Sequence, residues 1–166
     1  MAGRAMRYLG VGAALGGALV PGAAMAVVPV GADSKAQVYR PIQFAVLLEL
    51  DFGSIIAGSS GGTVILDPTS SSRDCGTMVC TGSFSWSRLA ISGSDATVAI
   101  SYAPIFYLTG PGAPIGAELT YAGGSGSQIE MTGGSAEIQF GAILHVNPDQ
   151  VPGAYSGEFA VDVNYQ

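Results

Sequence analysis

From Ile42 to Phe52 the chain alternates: Ile42, Phe44, Val46, Leu48, Leu50 and Phe52 fall on one face, and Gln43, Ala45, Leu47, Glu49 and Asp51 on the other. A period of two marks a strand with one face turned to a core. The far end repeats it, with Tyr155, Gly157, Phe159, Val161, Val163 and Tyr165 against Ser156, Glu158, Ala160, Asp162 and Asn164. Between these ends lie shorter strand-like runs over 55–57, 63–67, 78–86, 89–92, 96–102, 105–108, 117–122, 128–132 and 136–146. Gly-rich punctuation separates most of them, as in Gly58-Ser59-Ser60-Gly61-Gly62, Gly110-Pro111-Gly112 and Gly133-Gly134, and supplies backbone that tolerates positive φ. In the last run the apolar phase shifts across Gly141-Ala142, which predicts a β-bulge. Many short strands with frequent turns predict an all-β sandwich or barrel. An outer-membrane barrel fits poorly, because Glu158 and Asp162 occupy outward positions of the terminal run, where lipid demands apolar side chains.

The first segment reads differently. Arg4 and Arg7 precede an uncharged apolar run from Tyr8 to about Val20, and small residues lead to Ala24-Met25-Ala26. A basic start, an apolar run shorter than the ~20 residues of a spanning helix and small residues at the cleavage position describe a secretory signal peptide. Cleavage is expected after Ala26, or alternatively after Ala32. The division that follows is a signal peptide over 1–26, an N-terminal extension over 27–40 and one domain over 41–166. The mature chain is then expected to have no transmembrane segment and to reside in the periplasm, at the outer surface or in a fimbrium.

Loss of Arg4 and Arg7 would take the net charge from −6 to −8. An acidic field with no basic patch excludes nucleic acid as a partner. Only 11% of residues are charged and 25 are Gly, while 48% are apolar, which disfavours both amphipathic helices and disorder. Cys75 and Cys80 are separated by four residues, and export to an oxidising compartment predicts a local disulfide between them.

Two stretches resemble a known family. Leu50-Asp51-Phe52-Gly53-Ser54-Ile55, followed by Gly58 and Thr63-Val64-Ile65-Leu66-Asp67-Pro68, resembles the opening of the bacterial domain of unknown function 4402, and Gly153 to Tyr165 resembles its close. That family is similar in outline to spore-coat U-type proteins and to chaperone–usher pilus subunits, whose last strand carries a penultimate Tyr and a Gly fourteenth from the end. Tyr165 and Gly153 hold those places here. The resemblance implies a single Ig-like antiparallel β-sandwich, pilin-like and short of one strand, which partners supply by β-strand addition. It implies an assembly strand carrying Gly153, Tyr155, Phe159, Val161, Val163 and Tyr165, and a donor strand in the extension anchored by Ala36 and Val38. The implied partners are like subunits, a periplasmic chaperone and an outer-membrane usher. The close spacing of the cysteines and the short extension depart from the pilin pattern.

Catalytic chemistry finds little support. His145 sits between apolar neighbours in Leu144-His145-Val146 and reads as a strand residue. Glu49 and Asp51 share a strand face as ordinary polar positions, and Asn147-Pro148-Asp149 reads as a turn rather than a calcium loop. Trp86 reads as core, or else as an exposed platform for sugar stacking. No catalytic, cofactor or metal residues are assigned. The expected function is a structural or assembly subunit of a pilus, fimbria or surface coat, not an enzyme; the alternative is a monomeric, adhesin-like binding module.

Overall fold

A computed structural model describes residues 31–124 and 127–166. The expected signal peptide, residues 1–26, and positions 27–30 of the expected extension lie outside them. The chain divides into two units, the first ending at Ala36 and the second spanning Gln37–Gln166. In the first, residues 31–36 form neither helix nor strand. Among the described residues every strand belongs to the second, and there is no helix.

The strands are β1 (Gln43–Leu48), β2 (Ser54–Ile56), β3 (Gly62–Asp67), β4 (Ser72–Asp74), β5 (Val79–Thr81), β6 (Ser87–Ser92), β7 (Thr97–Tyr102), β8 (Ile105–Leu108), β9 (Ile115–Tyr121), β10 (Gln128–Glu130), β11 (Ser135–Val146) and β12 (Val161–Tyr165). All pairings are antiparallel. The long β11 organises a seven-stranded sheet: its first half pairs with β6 through Ser135–Phe140, and Ala142–His145 pairs with β3 on one edge and β9 on the other. β1 joins through β6, β4 through β3 and β8 through β9. A second sheet has the order β10-β7-β12, and β2 pairs separately with β5.

The pattern of every second residue explains the core. Val64 and Leu66, Leu89 and Ile91, Ala117 and Leu119, and Ile138, Phe140, Ala142 and Leu144 are buried from the large sheet, and Val98, Ile100 and Val163 from the small one. These residues form one cluster. At its centre Phe140 is fully buried, with ring centroids 5.2 Å from Tyr102, 5.1 Å from Tyr121 and 5.9 Å from Phe159. Burial, with Tyr102 beside it, raises the Tyr121 phenol above its usual pKa.

Three expectations change. The apolar positions of β11 stay in phase through Gly141, whose pairing with β9 runs without a shift, so there is no bulge there. Gly141 instead lets the Leu66 carbonyl and Pro68 pack against the strand where a Cβ would collide. The bulge lies in β1, where Val46 faces Leu89 and Leu48 faces Arg88, leaving Leu47 as the extra residue. The expected terminal strand from Tyr155 is regular only from Val161; upstream, Ser156 bridges to Thr109 beyond the end of β8. Gly157 lies so close to the Tyr107 carbonyl that no side chain fits. The terminal segment thus leaves the large sheet near β8 and enters the small sheet as β12.

The β3–β4 turn is closed by one carboxylate. Asp67 accepts hydrogen bonds from the hydroxyls of Thr69 at 2.6 Å and Ser70 at 2.7 Å and from the Thr69 amide at 2.8 Å. These bonds, that of Thr69 foremost, lower its pKa from 3.8 to about 2. A folded-state pKa below the unfolded one stabilises the fold above about pH 4, and that contribution is lost as pH falls through 2. Urea midpoints of wild type and Asp67→Ala should therefore differ most above pH 4 and converge between pH 4 and pH 2; a difference independent of pH would contradict this role.

Candidate functional site: an open apolar groove

β1 keeps the apolar alternation read from the sequence as far as Val46, after which the bulge turns Leu48 to the other face, and the structure leaves the strand uncovered. Phe44 pairs with Ile91 and Val46 with Leu89, so each pair shares a sheet face. Ile91 is fully buried, whereas Phe44 is 49% and Val46 63% exposed. The large sheet extends to β1; the small sheet ends at β12, which pairs only with β7 among the described strands. Among the described strands β1 pairs only with β6. An unpaired strand edge therefore closes each sheet on the side where the apolar face is open.

A groove of about 1320 Å³ runs from β1 past β2 to the segment that leads into β12, meeting β12 itself at Val161. Its sides are Phe44 and Val46 of β1, Ser54 to Ala57 around β2, and the segment Gln150–Val161; Leu89, Phe106 and Leu144 contribute from the core. Glu49, Asp51 and Glu158 add carboxylates to the lining.

Each wall is fastened by polar bonds. The buried Gln150 donates from Nε2 to the Ala113 carbonyl at 2.6 Å and to Tyr155 Oη at 2.9 Å, and its Oε1 accepts from Asn147 Nδ2 at 2.9 Å. Tyr155 Oη also accepts from the Gly112 amide at 3.0 Å and donates to the Val151 carbonyl at 2.8 Å. This network ties the 147–155 loop to the 110–114 loop, and Phe159 packs 5.5 Å from Phe106 to continue the wall. On the opposite wall, Arg73 Nη1 donates to the Phe52 carbonyl at 2.9 Å while its guanidinium lies 4.7 Å over the Phe84 ring. A disulfide joins Cys75 to Cys80, tying β5 to the turn after β4 and so steadying the β2–β5 pair.

A protein-family model described as "Domain of unknown function (DUF4402)" matches residues 42–165. The chain belongs to the DUF4402 family. No curated protein and no solved structure matches it.

The matched region holds the sequence-named residues in distinct places. Tyr155, Phe159 and Val161 line the groove, as does Gly153, whose φ of 150° and close approach to Pro111 leave no room for a side chain. Val163 points into the core, and Tyr165 lies at the other end of β12. Val38 is 91% exposed and Ala36, in the first unit, is exposed. His145 is on the exposed face of β11, its Nε2 2.9 Å from Glu118 Oε1 on β9. Asp149, with φ 51°, forms a turn whose amide donates to the Gly58 carbonyl. Trp86 is half-buried. Among the described residues, no three His, Cys, Asp or Glu side chains converge as metal ligands would. Sequence reading missed Gln150 and Arg73, each a lone polar residue whose partners lie far along the chain.

Because the Cys75–Cys80 loop is short, its closure restricts the unfolded chain by only about 2 kcal/mol. Replacing both cysteines by serine should lower unfolding free energy by about that amount. Thiol titration of the denatured, unreduced wild type should find no free cysteine; two free thiols would contradict the bond.

Proposed function

We propose that this protein is an exported subunit of a pilus, fimbria or surface coat, and that it assembles by β-strand addition, the extension of one copy filling the groove of another. The observation that carries the reading is the uncovered apolar face of β1 beside the unpaired edge of β12. A strand laid there would extend the small sheet and cover Phe44 and Val46, gaining backbone hydrogen bonds and apolar burial together. On this reading the fold is an Ig-like sandwich that is completed only in the assembly.

The size and chemistry of the groove support a peptide occupant. Its volume of about 1320 Å³ exceeds the roughly 300–1,000 Å³ of small-molecule sites. In the extension, Val30, Ala36 and Val38 sit at even positions, in phase with Ile42 and Phe44, so an extended chain presents them on one face. The chain's one lysine, Lys35, lies among them, and the groove carries Glu49, Asp51 and Glu158. With Asp33 and Arg40 counted, residues 27–40 carry a net charge of +1, opposite in sign to the groove's carboxylates, which favours this occupant.

An open edge beside exposed apolar surface is an aggregation hazard before assembly. A periplasmic chaperone and an outer-membrane usher are accordingly the proposed partners between export and assembly, with residues 1–26 as the export signal. The protein acts by binding and carries out no catalysis. In size analysis, protein beginning at Val27 should form chains of mass increasing with concentration, and the same protein lacking residues 27–40 should remain a single folded copy. A stable monomer in both cases would reject assembly and favour a self-contained binding module that uses the groove for a ligand.

A further inference from the structure

The extension is tethered to the domain whose groove it would fill. Tethering raises its effective concentration to the order of millimolar wherever the linker can reach, so self-insertion should outcompete a second copy unless geometry forbids it. Polymerisation by strand addition therefore requires a device that excludes the chain's own strand. At the root of the extension the chain is held by hydrogen bonds and a ring stack.

β1 starts at Gln43, opposite Ser92 at the end of β6, and β12 ends at Tyr165 on the same side of the molecule, its hydroxyl accepting from the Ser94 amide at 2.7 Å. Tyr165 Oη in turn donates to the Arg40 carbonyl at 2.8 Å, and the Arg40 amide donates to Ser94 Oγ at 2.8 Å. The ring of Tyr39 stacks on that of Tyr165, with centroids 4.6 Å apart and planes at 15°. Gly93 permits this placement, since a Cβ there would collide with the Tyr165 hydroxyl. Both backbone polar groups of Arg40 are thus held, with the preceding residue stacked.

To reach its own groove the extension would have to run beside β12 toward the Tyr165 end and then reverse before β1. Residues 37–42 contain no turn or bend. Pro41 disfavours the helical backbone conformation at Arg40 that a tight reversal uses, and its own φ is fixed. Reversal would also break the hydrogen bonds of Arg40 and the Tyr39 stack. A self-inserted strand would moreover lie parallel to β12, whereas a second copy is free to enter antiparallel, the direction that pairs somewhat better.

We propose that Tyr165, Tyr39 and Pro41 form a clamp that directs the extension away from its own groove and so reserves that groove for a second copy. The proposal rests on the strand-addition reading. Its test compares protein beginning at Val27 with Tyr165→Phe, Tyr39→Ala and Pro41→Gly variants, by light scattering and by trypsin cleavage after Lys35. Tyr165→Phe keeps the ring and loses the hydroxyl's bonds to Arg40 and to the Ser94 amide; the Ser94 bond is absent from the variant in either arrangement, so the ratio of monomer to multimer should rise about fivefold, the worth of the one net hydrogen bond to Arg40. Tyr39→Ala and Pro41→Gly should shift it in the same direction, with Lys35 protected from trypsin in the variant monomers because their own extension fills the groove. Variants with the wild-type mass distribution, or monomers whose Lys35 is cut as fast as in unfolded protein, would overturn the clamp while leaving strand addition standing. A wild type that is itself monomeric would overturn strand addition, and the clamp with it.

Discussion

Phe140 is where the two sheets meet. It projects from the middle of β11, the strand that pairs with β6, β3 and β9, and its ring packs among Tyr102 from β7, Tyr121 from β9 and Phe159 from the terminal segment. Aromatic groups of this size bury the most apolar area per residue, and tilted or edge-on contacts add to that burial. The cluster also explains how the chain can leave β8 at Ser156 and arrive at β7 as β12 without losing its hold on the core: Phe159 contacts both Phe106 and Phe140 along the way.

The reach of that cluster sets the position of the groove. Beyond Phe159 the small sheet has no further strand over β1 among the described residues, and the in-phase face of β1 remains open beside it. The walls do not collapse into this space, because polar bonds hold them elsewhere. Gln150 and Tyr155 bind the terminal wall to the 110–114 loop, and Arg73 and the disulfide hold the β2 side. Apolar surface between walls fastened in this way differs from a loosely packed core, in which neighbouring side chains relax into the space. At the other end, Tyr165 holds the root of the extension.

Much of this was legible in the residue pattern. The period of two located β1, β3, β6, β7, β8 and β9 within a few residues, because one-sided burial imposes that period. The phase of Phe44 and Val46 was correct; their exposure was not legible, since it depends on where a different sheet ends. Ser72–Asp74 escaped notice because a short polar edge strand has no alternation to read. The shift at Gly141 misled because Ala142 is small enough to look neutral in the pattern while being fully buried in the structure. Tyr155 fitted the alternation of a strand, yet its hydroxyl serves a loop network. The disulfide was readable from the close spacing of the two cysteines. The pairing of Tyr39 with Tyr165 was not, since nothing local to either residue signals a contact between opposite ends of a domain.

The central claim is that the groove is the place of a missing strand, and amide hydrogen exchange tests it directly. A synthetic peptide of residues 27–40, added to the domain lacking them, should slow exchange at those β12 amides that β7 leaves free, because they would acquire carbonyl partners. It should also bury Phe44 and Val46. Unchanged exchange along β12 at saturating peptide, or protection confined to loops away from β1 and β12, would contradict the account.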